Sequence, residues 1–274
     1  MSIKFGSNDA STFKVGTSGI DKIYLGSNVA FYGLVTKSLV FNIDAENPYS
    51  YSFTPSTSGI INDIQGNNNA TLSGTFNDTT PKNWEIAAAT SSTPPSAFIT
   101  FGDIETFNAP HDFTFSMWFK FTNLPGDSDI ITKGAHNTGE PILVWYDKAV
   151  GSGTDAGNTQ TISFMVTDDT TQHWIAAPNN SIVVNQVYNL VVQHNTDGRA
   201  RIWINGVEKR DHIQATTDGM KNNTNPLKLG APTGSLQDSS MEIYAFHAYD
   251  SFLTDEEIDQ NWNNLRTRFS SLSA

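Results

Sequence analysis

The stretch YNLVVQHNTDGRARIWINGV, residues 188–207, reads as a β-hairpin. Alternate positions are apolar in both of its halves, namely Tyr188, Leu190, Val192, Ala200, Ile202 and Ile204. A period of two is typical of antiparallel strands that bury one face. Between the halves, residues 195–198 (NTDG) tolerate positive φ and predict a turn, which His194 is expected to cap. Asn205-Gly206 predicts a second turn directly afterwards.

The clearest alternation in the chain lies in residues 113–121. One face carries only large apolar side chains, namely Phe113, Phe115, Met117, Phe119 and Phe121. This pattern predicts a central strand with one face in a large core. Further strands are predicted at residues 39–44, 98–103, 129–134, 141–146, 160–167, 173–177, 227–230 and 241–249. Trp84 and Ile86 are expected to form a small strand or a plug within a surface loop.

One helix is predicted after the last strand. Thr254 and Glu257 have the spacing of a capping box, with Thr254 at the N-cap and Glu257 at N3. Apolar residues then recur at helical spacing at Ile258, Trp262, Leu265 and Phe269. A succession of strands followed by one helix predicts an all-β fold, in which two antiparallel sheets pack face to face.

The N-terminus contains a repeat. IKFGSN (residues 3–8), FKVGTS (13–18) and IYLGSN (23–28) follow one another at ten-residue intervals. Each copy predicts a short apolar strand that ends in a turn. The copies form either a small meander packed on the next domain or an arm that needs a partner's edge strand, because strands this short are not stable alone.

We therefore divide the chain into an arm of residues 1–36, an attachment or assembly element, and a domain of residues 37–274. The apolar residues expected to carry assembly are Phe5, Val15, Ile23, Leu25, Phe31 and Tyr32.

The composition excludes several classes of function. With 16 basic and 28 acidic residues, the net charge of −12 argues against binding to nucleic acid and to anionic membranes. The absence of cysteine excludes disulfides and a cysteine nucleophile. The sequence has no apolar run of membrane-spanning length, and the segment MSIKFGSNDAS lacks the apolar region of a secretory signal.

Several segments resemble the concanavalin A-like, laminin G-like jelly-roll domains. They are DFTFSMWFKF (112–121), DIITKG (129–134), residues 187–207 and residues 241–269, preceded by residues 39–72. The resemblance implies a two-sheet antiparallel jelly-roll sandwich, with the short N-terminal β-repeat arm and one C-terminal helix added to it. The ending NWNNLRTRF (261–269) and the repeat unit LGSNV (25–29) are similar to the version found in bacteriophage tail-fibre and other virion structural proteins.

Some members of this family hold calcium with acids near the first strand and the last hairpin. Asp44 and Asp63 match the first region, whereas Tyr244 and Ala245 stand where calcium-binding members often have Asp. The acids of residues 127–129 (DSD) and 168–169 (DD) also have the composition of oxygen ligands, but turns use the same residues. Calcium stays an open alternative, and no cofactor is expected.

No catalytic set is visible. The glycosidases of this family carry a Glu-x-Asp-x-x-Glu strand, whose carboxylates supply the acid and the nucleophile, and this sequence has no such triplet. Glu105 and Glu242 each stand alone among apolar residues, and the six histidines lack metal-ligand spacing. The chain is therefore predicted not to be an enzyme.

Aromatic residues are the remaining candidates for a site, because sugars stack their apolar faces on Trp or Tyr rings. Trp145, Tyr146 and Trp174, near strand ends, are the candidate glycan-binding residues. Trp118 and Trp203 are expected to be buried beneath a covering segment instead.

The resulting expectation is a non-enzymatic virion structural protein on the outside of a phage tail or capsid. Its expected partners are other virion proteins through the arm, host glycans through the jelly roll, and further copies of itself. Nucleic acid and membranes are not expected partners. A free-standing carbohydrate-binding lectin is the alternative, and a polysaccharide-degrading enzyme is a weaker one.

Overall fold

A computed structural model describes residues 4–5, 8–9, 14–15, 18–19, 22–25, 28–50, 58–66, 68–78, 82–87, 97–108, 111–124, 126–134, 142–149, 159–168, 171–213, 221–231 and 240–269. Up to residue 32 it describes the backbone only, so the side chains of the six predicted assembly residues of the arm lie outside the described part. In the described ranges there is no helix long and apolar enough to cross a membrane.

The strands are short in the arm and longer in the main domain. In chain order they are β1 (Lys4–Phe5), β2 (Asn8–Asp9), β3 (Lys14–Val15), β4 (Ser18–Gly19), β5 (Lys22–Leu25), β6 (Asn28–Tyr32), β7 (Leu39–Asp44), β8 (Ser58–Ile61), β9 (Ala70–Ser73), β10 (Thr75–Asn77), β11 (Asn83–Ile86), β12 (Phe98–Thr100), β13 (Phe113–Asn123), β14 (Ser128–Lys133), β15 (Ile142–Ala149), β16 (Thr159–Thr167), β17 (Gln172–Ala176), β18 (Val187–His194), β19 (Arg199–Ile204), β20 (Val207–Ile213), β21 (Leu227–Leu229) and β22 (Ser240–Tyr249). A 3₁₀ turn covers Glu105–Phe107, and the helix α1 covers Asp255–Phe269.

Two antiparallel sheets build the main domain, as predicted. Within the described ranges, the first sheet has the order β10-β11-β22-β13-β18-β19-β20, with β7 paired beside β22. The second has the order β17-β16-β15-β14-β21-β12-β9-β8. Neighbouring strands are often far apart in sequence, as when β22 pairs with β13. This topology is that of a jelly-roll sandwich.

The core lies between the inner faces of the two sheets. The four phenylalanines and Met117 of β13 all point into it, as their alternation predicted. Phe115 illustrates the packing, because its ring lies 4.8 Å from that of Phe113, 5.1 Å from Phe107 and 5.7 Å from Phe246. Trp84 is fully buried in the same core on β11, so the predicted small strand exists.

The outer face of the first sheet is covered as well. The helix α1 places Leu265 and Phe269 against Trp118 and Tyr244, and Val35 and Leu253 pack with Trp203 in a neighbouring cluster. Trp118 and Trp203 are therefore buried, as expected. The prediction that the strand at residues 188–195 buries only one face is wrong, however, because every residue of β18 is buried. Polar residues on its outer face, such as Gln193, bond instead to the covering segment, at the Leu253 carbonyl (2.8 Å).

Both turns of the hairpin at residues 188–207 form as predicted, but the residue that caps the first turn differs from the prediction. The Asn195 side chain, rather than His194, caps the first turn by accepting a hydrogen bond from the Arg199 amide (2.8 Å). The second turn places Asn205 and Gly206 at φ 54° and 71°, as Asn-Gly hairpins do. The capping box of α1 is confirmed, with Thr254 and Glu257 bonding each other's amides.

In the arm each repeat forms a hairpin of its own: β1 pairs with β2, β3 with β4, and β5 with β6. This differs from a meander, in which successive copies would pair with one another. The arm joins the main domain at the helix, where Gln260 donates to the Gly33 carbonyl (3.0 Å) and the Val35 amide donates to Asn261 (2.8 Å). Val35 is buried there, so packing of the main domain begins two residues before residue 37.

We predict that Phe115→Ala lowers the free energy of unfolding by about 3–5 kcal/mol, because it removes a ring enclosed by other rings. Urea unfolding followed by tryptophan fluorescence measures the change. Ile213→Ala on β20 is the matched control, since Ile213 is exposed and its truncation should be nearly neutral. Equal midpoints for the two variants would contradict this account of the core.

Candidate functional site

The outer face of the second sheet carries a pair of partly exposed tryptophans. On β15, Val144 and Tyr146 point into the core, so Trp145 between them points outward. On β17, Ile175 points into the core and Trp174 points outward for the same reason. The alternation that builds the core thus also fixes the outward direction of both indoles.

The two indole rings lie together above β16. Their centroids are 5.8 Å apart and their planes are inclined by 31°. Ser163 stands opposite both Trp145 and Ala176 in the sheet, so two small residues leave the space that the rings occupy. We call Trp145 and Trp174 the tryptophan platform.

Tyr146 does not belong to the platform. It points the other way, is 4% exposed, and its ring packs edge-on against Phe121 in the core at 5.9 Å. Burial, reinforced by the nearby Asp127 and Asp147 carboxylates, raises the pKa of the Tyr146 hydroxyl. The prediction that this ring binds a glycan is corrected, because neither face of the ring is open to a ligand.

Polar groups surround the platform. Asp129 stands opposite Trp145 on β14, and Asp147 follows two residues after Trp145 on the same face. Both carboxylates are buried, and that of Asp147 accepts a hydrogen bond from Ser163 Oγ (3.4 Å). Gln172, two residues before Trp174, is exposed. An aromatic surface with an exposed amide beside it has the chemistry that stacks a pyranose and bonds its hydroxyls.

The acids that match calcium-binding relatives already have partners within the chain. Both oxygens of Asp44 bond the guanidinium of Arg268, at 2.6 and 2.8 Å. Asp63 accepts hydrogen bonds from three backbone amides, those of Asn42, Gln65 and Asn68. The arginine supplies at Asp44 the positive charge that a cation would otherwise bring.

Two of the other candidate oxygen ligands, Asp127 and Asp168, already accept hydrogen bonds from backbone amides. Asp127 accepts from the Lys148 amide (2.7 Å), and Asp168 accepts from the Thr171 amide (2.6 Å) and lies 2.8 Å from His173 Nε2. Over the described residues, no group of three or more His, Cys, Asp or Glu side chains is placed to hold a metal ion.

Glu242 has neighbours that the sequence did not reveal. Lys120 Nζ and the Tyr244 hydroxyl both bond its Oε2, at 2.8 and 2.5 Å. The exposed Glu85 stands directly opposite it on β11. Glu242 therefore forms an ion pair with Lys120 on the outer face of the first sheet, and it also accepts a hydrogen bond from the Tyr244 hydroxyl.

Two histidines are buried, and each has at least one ring nitrogen without a hydrogen-bond partner among the described residues. Both ring nitrogens of His194 are unpaired, and so is Nδ1 of His247. Burial lowers the pKa of each to about 4; Asp112 opposes this at His194, and Asp44 does so at His247. Both side chains are therefore neutral at neutral pH.

Two packed antiparallel sheets with an outward aromatic pair define a lectin-like jelly roll. The chain belongs to the concanavalin A-like lectin/glucanases superfamily, whose family model matches residues 91–259. No curated protein is detectably similar to it in sequence.

Several solved structures share the fold at low sequence identity. The binding domain of botulinum neurotoxin DC, in complex with rat synaptotagmin II, has a TM-score of 0.61 and 16% identity, covering 83% of this chain and 52% of that one. The ligand binding domain of botulinum neurotoxin serotype D, in complex with N-acetylneuraminic acid, has a TM-score of 0.60 and 14% identity, covering 82% and 50%. This chain thus spans about half the length of those structures. These similar structures are toxin domains and not phage proteins.

The buried histidines predict an acid-sensitive fold. Between pH 6.5 and 4 the unfolded chain binds protons at His194 and His247 that the folded chain does not, so stability falls as the pH falls through this window. The loss should be on the order of 1–3 kcal/mol per histidine. Urea unfolding at a series of pH values measures it.

His247→Asn should flatten this pH dependence, whereas His212→Asn on the edge strand β20 should leave it unchanged. An identical slope in wild type and in His247→Asn would contradict the assignment.

Proposed function

We propose that this chain is a non-enzymatic adhesion protein of a bacteriophage virion, whose jelly roll binds host-surface glycans at the tryptophan platform. The observation that carries the proposal is the pair Trp145 and Trp174, held side by side on an outer sheet face. Large aromatic rings exposed on a rigid sheet are costly to leave in water, and a sugar ring covers them favourably.

The rigidity of the platform favours binding. Both indoles project from the middle of paired strands rather than from loops, so little side-chain and loop ordering is needed when a ligand docks. The exposed Gln172 lies beside the rings, where its amide can bond sugar hydroxyls. The similar domain in complex with N-acetylneuraminic acid shows that another protein of this fold is seen with a sugar.

The virion role has separate support. It rests on the resemblance of the ending NWNNLRTRF and of the N-terminal repeats to phage virion structural proteins. The arm consists of three separate hairpins, and a single two-stranded hairpin is marginally stable in water. On this proposal the hairpins of residues 1–36 become stable when they pair with other virion proteins or with other copies of the chain, at the virion surface.

Glycan binding should depend on both indoles. We expect full-length protein to bind members of a glycan array, and Trp145→Ala or Trp174→Ala to weaken the best ligand roughly two- to tenfold each in calorimetry. Tyr49→Ala is the control, since Tyr49 is 78% exposed and lies outside the platform. Unchanged affinity in both tryptophan variants would show that the tryptophan platform is not the glycan-binding site.

Attachment should depend on the arm. A shortened chain beginning at Gly33 keeps the bonds to Gln260 and Asn261, and should therefore fold. We expect the full chain to form a defined oligomer or to bind a virion protein, and the shortened chain to be a monomer. Light scattering and co-sedimentation with particles measure this. Two identical monomers without a particle partner would favour the free-standing lectin instead.

A further inference from the structure

A cavity lies between the C-terminal half of α1 and the first sheet, on the side of the molecule opposite the tryptophan platform. It has a volume of about 390 Å³, and its lining includes Trp118, Val187, Asn205, Trp262, Arg266 and Phe269. We call it the helix groove. It is separate from the tryptophan platform, because the two sites lie on the outer faces of different sheets.

The aromatic wall of the helix groove is fixed in place. The rings of Trp118 and Trp262 are parallel within 1°, with centroids 5.3 Å apart, and Phe269 lies 4.6 Å from Trp118. Gly206 approaches Trp262 so closely that a Cβ atom there would lie 2.7 Å from the indole. The indoles therefore cannot turn away, and a ligand meets a wall that is already organised.

The groove offers hydrogen-bond donors. In the described part of the chain, neither the Trp118 nor the Trp262 indole N–H has an acceptor. The Asn205 Oδ1 already accepts from the Asn189 amide (2.9 Å), which leaves its NH₂ group for a ligand. Arg266 is exposed and has no ion-pair partner among the described residues.

The charge around the groove is opposite to that of the whole molecule. The chain carries 28 acidic and 16 basic residues, yet the groove lining contains an arginine and no carboxylate. An unpaired guanidinium beside neutral donors selects an anion, and its planar fork fits a carboxylate with two parallel bonds. The partly exposed ring of Trp262 adds an apolar wall, which suits a ligand with a compact C–H surface.

We propose that the helix groove binds a carboxylated sugar of the uronic or sialic acid type. The carboxylate bonds Arg266, the ring and hydroxyl oxygens accept the indole N–H and Asn205 donors, and the ring C–H groups pack on the partly exposed Trp262 ring. This site is independent of Trp145 and Trp174 and goes beyond the adhesion proposed for them.

The test uses the full-length protein with a galacturonic acid trimer and with the same trimer methyl-esterified at every carboxylate. We expect the acid to bind at least tenfold more tightly than the ester, and Arg266→Gln to weaken the acid about tenfold without affecting the ester. Arg199→Gln is the matched control, because it removes the same charge from an exposed arginine outside the groove and should leave affinity unchanged. In ¹⁵N spectra, the acid should shift two of the six indole N–H signals.

Several results would overturn the proposal. They are absence of binding by the acid, equal binding of acid and ester, and an equal loss in Arg199→Gln and Arg266→Gln. If hexaglutamate bound as tightly as the trimer, the ligand of the groove would be an acidic peptide rather than a sugar. The double variant Trp145→Ala/Trp174→Ala separates the two sites, since it should keep the uronate affinity. Loss of uronate binding in that variant would indicate that the uronate binds at the tryptophan platform and not in the helix groove.

Discussion

The burial of β13 on both of its faces is the constraint on which the rest of the structure depends. Its inner face of phenylalanines and Met117 requires a second sheet to cover it, and its outer face with Trp118 requires the helix. The neighbouring strands β18 and β22 share this double covering, so polar residues such as Gln193 and Thr114 must find partners in the covering segment rather than in water. The helix is therefore a third layer of the domain and not an appendage.

The two sheets differ in how much of their outer faces is covered by other parts of the chain. The first sheet is covered by α1 and by the segments around Val35 and Leu253, and the helix groove opens beside the helix. The second sheet keeps the tryptophan platform partly in contact with solvent. A binding role fits this asymmetry, because a domain that needed only stability would gain by covering both faces alike.

Local patterns predicted much of this architecture. The alternation at residues 113–121, the Asn-Gly turn at 205–206 and the capping box at Thr254 each depend on near neighbours in sequence, and each is found. Trp145 and Tyr146 were predicted together as glycan-binding residues, whereas strict alternation along the strand would have placed only one of them on the outer face. The ion pair of Asp44 with Arg268 and the stack of Trp118 on Trp262 join distant residues, and no local pattern encodes them. The complete burial of β18 was not predicted for the same reason, because it depends on where the helix and the segment around Leu253 pack on the sheet.

The contact between Asp44 and Arg268 has a consequence for the orientation of the domain. It fastens the last turn of the helix to the end of the first domain strand, while Gln260 and Asn261 hold the chain at residues 33–35 on that same side. The start and the end of the domain thus emerge together behind the first sheet. On the proposed role, a partner that holds the N-terminal repeats would stand at that side, and the tryptophan platform, on the far sheet, would face away from it.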